Sequence, residues 1–414
     1  MYNIKKNIKV MLGVLLLPAT LLTTSCVSEI EDGTTDIDNW PTARIDMVIP
    51  ETFQHPGILH TSSDLDRLRT IAQSGQGIAY ECYRKLAASN LSQSNYNMQG
   101  PFEELTSDLQ NRFGNDFSAA WQNAIMYITT GDASHAEKSV EIIMAYANTV
   151  KLIKTDETAL SGSGVTPLFT SNVGLKLIYA AELMRYRYPQ GMTDANFEKA
   201  QALVRKHFVP VYDAFYAEPP YTNGNWGASV TKAYLASAIL LDDIEMYKRA
   251  IEFYLYAVDN GNIRYYLDIE TGQCQESGRD QQHVQLGLEG LAATCEIAWK
   301  QGTDLYSVME NKLQKGYEYT AKYNLGYEVP YKVWQDVTVA KKYSNWQVIS
   351  ADRRGEFRPI YEQVYNHYVG RKGLSMPYTK QVVEKARSNP ETMGEGYHFD
   401  HIAYGTFLFN ESDL

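Results

Sequence analysis

The sequence predicts an all-α fold: an (α/α) toroid, or incomplete barrel, of helical hairpins with a few short strands. Three observations carry this. From Ser62 onward, apolar residues recur at helical spacing. Short Gly, Pro, Asn or Asp breaks cut that pattern into hairpins of roughly 30 to 40 residues. No motif repeats from one hairpin to the next, which separates the chain from tetratricopeptide-type arrays. In such a ring the inner helices present their ends and connecting loops to a central cleft, and chemistry is expected there.

Helices are expected over 62–74, 78–90, 116–130, 134–150, 168–187, 193–212, 227–241, 244–259, 278–300, 304–322, 357–370 and 376–388. Thr61-Ser62-Ser63-Asp64 supplies capping groups for the first, and Thr193-Asp194 opens another. Gly131, Gly302 and Gly370 mark stops. Ala120, Ala124, Tyr127 and Ile128 form one apolar stripe, and Val140, Ile143, Met144 and Ala147 form the next. Strand signals are few: Tyr265-Tyr266-Leu267-Asp268 ahead of a Glu270-Thr271-Gly272 turn, and an irregular pair within 327–350.

Of 414 residues, 44% are hydrophobic and 21% charged, a globular balance that excludes disordered and fibrous classes. A net charge of −11 and a pI near 5.3 argue against a nucleic-acid partner. Tyrosine is the outlier, at 31 residues against 13 Phe and 6 Trp. A flat ring with a phenol at its tip suits sugar stacking, and equally suits half-buried helix packing.

Residues 1–25 read as an export signal: Lys5, Lys6 and Lys9, an apolar run over 10–22, then Thr23-Thr24-Ser25 ahead of Cys26. The run is short for a membrane span. Its end resembles a lipoprotein signal in which Cys26 becomes the lipidated first residue; plain secretion and an uncleaved anchor are the other readings. The expected address is an exported lipoprotein of the periplasm or outer membrane, touching a membrane only through its lipid. Residues 26–50, acidic through Glu29, Glu31, Asp32, Asp36 and Asp38, read as a flexible tether to a catalytic domain over 51–414, expected as a monomer. Cys82, Cys274 and Cys295 permit at most one disulfide and read as small core residues, and no zinc-ligand spacing appears.

Three segments concentrate polar and aromatic groups. In Asn223-Gly224-Asn225-Trp226-Gly227, ahead of an apolar helix, Asn225 either caps that helix or points its amide donor at a substrate carboxylate. In the segment Glu276-Ser277-Gly278-Arg279-Asp280-Gln281-Gln282-His283, Ser277 and Asp280 fit a capping box, so a helix should start near Gly278. Its apolar stripe is Val284, Leu288, Leu291 and Cys295. Arg279 and His283 fall on another face, which Gly287 and Gly290 continue, leaving room for a neighbour. An imidazole in a first helical turn is favoured as the neutral form, which a general base needs; alternatively it braces the loop by bonding Glu276. In the third segment Arg358, Tyr361, Tyr365 and Tyr368 share a helix face close to Arg353 and Arg354. That stripe is either core or a set of phenols whose pKa nearby arginines lower. A fourth segment, 394–405, holds His398, Asp400 and His401; closure of the ring fits it better than a metal site.

At these residues the sequence resembles the alginate-lyase-type helical polysaccharide lyases, polysaccharide lyase family 38 most closely. The resemblance is strongest at Asn225-Trp226-Gly227-Ala228, at Glu276 to His283 and at Arg358-Pro359-Ile360-Tyr361 to Tyr368, and it runs from His55-Pro56-Gly57 to Asp400-His401. It implies an (α/α) toroid that cleaves 1,4-linked uronate polymers, such as mannuronan or glucuronan, by β-elimination, without a cofactor. It also implies a His/Tyr or Tyr/Tyr acid–base pair and a carboxylate neutraliser of Asn, Arg or Glu type. Better-known members carry Asn-Asn-His in the first segment, where this chain reads Asn223-Gly224-Asn225-Trp226, so the base moves to His283 here. The expected site therefore has His283 as base, Tyr365 or Tyr361 as acid, and Arg279, Asn225 or Glu276 on the carboxylate. Trp226 and Asn223 are expected to bind substrate, with Arg354 and Arg358 steering the polyanion. A glycoside hydrolase using Glu276 and Asp280, and a glycan-binding lipoprotein without catalysis, are the competing readings. No glycine-rich nucleotide fingerprint is present.

Overall fold

A computed structural model describes residues 45–154, 166–217, 223–334, 336–337, 346–389 and 400–411. The expected signal, Cys26, most of the tether, and His398 lie outside the described residues. Residues 42–414 form one compact unit.

The chain is the expected ring of helices. An inner set runs 110–130, 166–187, 224–240, 281–300 and 361–371, each member packed on the next or joined through its neighbours. The short helix Gly405–Phe409 packs against Tyr361–Tyr365, Ile78–Ala88 and Ser62–Ser74, and Ser62–Ser74 packs on Gln110–Thr130, so the ring closes through its two chain ends. Outer helical stretches 133–149, 194–217, 244–256 and 308–324 return the chain between inner ones, and the starts of the inner helices 224–240, 281–300 and 361–371 meet at one mouth through the Asn225–Glu276 and Arg358–Gln285 bonds.

Burial explains the sorting. Gly224–Leu240 is buried around almost its whole circumference, as a helix surrounded by others must be, whereas Ser62–Ser74 buries only the Leu65, Leu68 and Ile71 stripe with Asp64. Ala133–Thr149 turns a somewhat different stripe inward than expected: Ala136, Ser139, Ile142, Ile143 and Tyr146, with Val140, Met144 and Ala147 only half-buried. The polar members are accommodated because Ser139 donates to the Ala120 carbonyl and Tyr146 to Asp116.

The structure differs from the sequence reading at three places. The helix expected from 116 starts at Gln110, because Phe113 and Phe117 continue its apolar face. Two strand pieces that the sequence did not signal, Glu104–Leu105 and Leu152–Ile153, pair in parallel. The expected strand at Tyr265 is instead the short helix Ile263–Tyr266, capped by Asn262; only Leu267 pairs, as an isolated bridge to Cys274 across the expected turn. Cys82, Cys274 and Cys295 are free, buried thiols, as read.

Candidate active site

The mouth of the ring is assembled around the turn that precedes the inner helix Gln281–Lys300. Asp268 accepts from the Glu270 and Thr271 amides, which tightens the loop and brings Cys274 back beside Leu267. A 3₁₀ turn over Gln275–Gly278 follows, and the helix starts at Gln281 rather than at Gly278. Asp280 is its N-cap, accepting from the Gln282 and His283 amides. Arg279 therefore precedes the helix instead of sharing a face with His283. Gly278 is required here, since a Cβ would lie 2.2 Å from Trp346 Cβ and 2.5 Å from the Tyr331 hydroxyl.

Glu276 is the hub. It is fully buried and takes the Asn225 amide nitrogen (2.8 Å), the Asn225 backbone N–H (3.1 Å), Arg279 Nη1 (2.9 Å) and the Tyr266 hydroxyl (3.3 Å). Burial holds its carboxyl above the ordinary range, with Arg279 pulling the other way. Gln275 alongside it accepts from the Gly224 amide. The turn and the start of Gly224–Leu240 are thus locked together. Both readings of Asn225 are corrected: its side chain caps nothing, and its donor points at Glu276, where the residue is sealed from solvent. Asn223 holds the N-cap position, yet its side chain makes no capping bond. Trp226, next along, is half-buried.

His283 stands at the surface of this assembly with 38% of its side chain exposed. Its Nδ1 lies 2.6 Å from Asp280 Oδ2, so the brace expected from Glu276 is supplied by Asp280. Among the described residues its Nε2 has no protein partner. Arg279 is 30% exposed beside it. The room at Gly287 and Gly290 is taken by the Tyr266 hydroxyl and by Ala228, respectively.

The third segment is built differently from its expectation. Tyr361 is buried, its hydroxyl donates to Gln285, and burial pushes its pKa up rather than down. Tyr368 is buried too, bonded to the Tyr306 carbonyl. Tyr365 lies half-buried with the Arg387 guanidinium 5.9 Å from its ring centroid. A π-turn over Asn366–Arg371 takes Tyr368 out of the regular register, while Tyr361 and Tyr365 stay four residues apart on one α-helical turn. Neither Tyr361 nor Tyr365 is in hydrogen-bond contact with His283. Arg354 bonds the Tyr323 and Tyr327 carbonyls and covers the Tyr323 ring at 3.9 Å, which fixes a helix end and takes it away from steering. Arg358 does reach the mouth: its Nε donates to Gln282, and Nη1 bonds Asp400 and His401. Asp400 and His401 thereby pin the chain end into the ring, and no metal-ligand group exists among the described residues. Deeper inside, Lys232 pairs with Glu289, and burial plus the neighbouring Lys232 lower the Lys176 ammonium to about 7.

Of the expected residues, the structure thus joins Asn225, Glu276, Arg279 and His283, with Arg358 one side chain away. Sequence reasoning missed Tyr266 and the role of Asp280. Gly287 was the only signal for the first, since a missing side chain implies a close neighbour.

Residues 69–329 match the model of the family described as alginate lyase. No curated protein matches the chain. Among solved structures, alginate lyase A1-III from Sphingomonas species A1 superposes with a TM-score of 0.56 at 13% identity, covering 79% of this chain and 92% of that one. An alginate lyase from Bacteroides ovatus gives 0.54 at 13% identity, covering 84% and 99%. A variant of the Sphingomonas enzyme complexed with a tetrasaccharide gives 0.53 at 15% identity, covering 78% and 90%.

Proposed function

Because the chain belongs to the alginate lyase family, we propose that it cleaves 1,4-linked uronate polymers, polymannuronate or glucuronan, by β-elimination, as a member of polysaccharide lyase family 38. The observation that carries this reading is the half-exposed imidazole of His283, held by a carboxylate and flanked by an exposed guanidinium at the mouth of the ring.

The C5 hydrogen of a uronate is α to a carboxylate and becomes removable only when that negative charge is offset. Arg279 is the group placed to do so, kept in position by buried Glu276. His283 Nε2 takes the C5 proton, the C–H electrons form the C4–C5 double bond, and the C4–O bond breaks. The one phenol in contact with His283 among the described residues, Tyr266, reaches only its backbone carbonyl and is sealed from solvent, so the imidazolium formed on His283 supplies the proton for the departing oxygen. Trp226 offers a ring face to the sugar, and Arg358 adds positive charge beside Gln282.

Both competing readings have less support. Glu276 is sealed and Asp280 is committed to an imidazole and two amides, so neither carboxyl is available for glycoside hydrolysis. A glycan-binding protein has no need of an imidazole with an open nitrogen. We also propose that the chain is an exported, monomeric lipoprotein anchored through Cys26; no described helix is long and apolar enough to cross a membrane. The test is incubation with polymannuronate, polyguluronate, glucuronan and a neutral glucan. Ultraviolet-absorbing unsaturated ends from a uronate polymer support the reading. New reducing ends without that absorbance favour hydrolysis, and tight binding without either product favours a binding protein.

A further inference from the structure

We propose that Asp280 is a positioning residue whose carboxylate fixes the tautomer of His283, so that Nε2 reaches the mouth of the ring without a proton. This rests on the reading of His283 as the base and adds how that base is prepared.

The carboxylate is held from three sides. Its Oδ1 accepts the Gln282 amide at 2.9 Å and the His283 amide at 2.8 Å, and its Oδ2 lies 2.6 Å from His283 Nδ1. Capping alone needs only Oδ1, and Ser, Thr or Asn would supply it. The second oxygen is on the imidazole, and an ionised carboxylate only accepts. Nδ1 must therefore carry the proton of the neutral ring, which leaves the lone pair on Nε2, the nitrogen with no protein partner among the described residues.

The surroundings favour an ionised Asp280. Burial works against it, but the bonds from His283 and its backbone, with Arg279 Nε 3.6 Å away, hold the carboxyl below its ordinary value. Other charged groups facing the imidazole are Glu276, on the preceding turn, and Arg279, which Glu276 holds; Arg358 approaches from the opposite segment through Gln282. When Nε2 takes a proton, the resulting imidazolium faces a carboxylate already in contact with it, so the charge that forms during the reaction is offset without rearrangement.

Asp280→Asn separates this role from capping. An Asn is as good a cap, so its Oδ1 stays on the two amides and its NH₂ takes the place of Oδ2. That NH₂ is a donor, which makes Nδ1 the acceptor and moves the ring proton to Nε2. The expected result is a loss of kcat of about 10²–10⁴-fold, the range a positioned general base contributes, with KM and thermal midpoint close to wild type. Asp280→Glu, which restores a carboxylate, should recover part of kcat. Independently of activity, nitrogen NMR of histidine-labelled protein should show His283 protonated at Nδ1 in the wild type and at Nε2 in Asp280→Asn. Wild-type turnover by Asp280→Asn, or the same tautomer in both proteins, would overturn the proposal. If the tautomers behave as expected while no uronate polymer is cleaved by the wild type, the lyase reading fails and the positioning role stands.

Discussion

The two ends of the inner helix Gln281–Lys300 carry the same kinds of residue and put them to opposite uses. At its C-terminal end Glu296 accepts from Arg371 at 2.9 and 3.0 Å and from Tyr306 at 2.9 Å, and lies 3.2 Å from Lys300. Lys300 also pairs with Asp64, and Arg371 with Glu411. The imidazoles there, His60 and His367, are buried, and burial lowers them to about 3 and about 4. At the N-terminal end there are also two carboxylates, a guanidinium and an imidazole, but Arg279 and His283 keep part of their surface in water. Charge clusters alone therefore do not mark a site. What distinguishes the mouth is a titratable group fixed by one atom and open at another.

The sharpest way to break that contrast is to remove an imidazole from each end. His283→Ala should lower kcat by about 10²–10⁴-fold with an unchanged thermal midpoint, measured by formation of unsaturated product and by calorimetry. His367→Ala should leave turnover per folded molecule intact. At this C-terminal end, Arg371→Ala leaves the buried Glu296 short of two hydrogen bonds and should destabilise the fold by about 3–5 kcal/mol in denaturant titration, again with kcat retained. Next in size, Arg279→Ala removes a charge-assisted bond and the carboxylate contact together. It should cost about 10- to 100-fold in kcat/KM, read from initial rates at low substrate.

Acid sharpens the same comparison. Burial alone would raise the Glu296 carboxyl, but Lys300 and Arg371 hold it at about 2 in the folded chain, below its ordinary 4.5. A depressed folded value means stability that is present above 4.5 and is lost as the pH falls from there towards 2. The buried, neutral His60 acts in the same direction between its ordinary 6.5 and about 3, since the unfolded chain binds the proton more readily. Denaturant titrations from pH 7 to 3 should show stability falling, with a shallower fall in Arg371→Ala. The smallest effect is expected from Arg354→Ala, whose partners are two partly exposed carbonyls, at about 1 kcal/mol or less and with no change in KM.

Ring architecture was legible because helical periodicity and its breaks are local signals. The helix starts at Thr61 and Thr193, and the stop at Gly131, carried their own caps. The cluster from Glu276 to His283 was legible for a related reason, since one turn contains most of it. The partner of the imidazole was misread because a carboxylate three residues back and one seven back are equally plausible in sequence, and only the late helix start at Gln281 selects Asp280. Tyr361 was misjudged because it is buried and Gln285 on another helix claims its hydroxyl, a contact that periodicity does not encode. Tyr266 belongs to a contact made through the absent side chain of Gly287, which no periodicity encodes.

The central claim, that the open imidazole at the mouth is where the polymer reacts, is tested most directly by a crystal structure of His283→Ala soaked with a uronate tetrasaccharide. The expected result is a sugar bound between Trp226 and Arg279, with one C5 about 3–3.5 Å from the position vacated by Nε2 and its carboxylate on Arg279. A chain bound at the Lys300–Arg371 end, or one whose C5 atoms all lie far from residue 283, would contradict it.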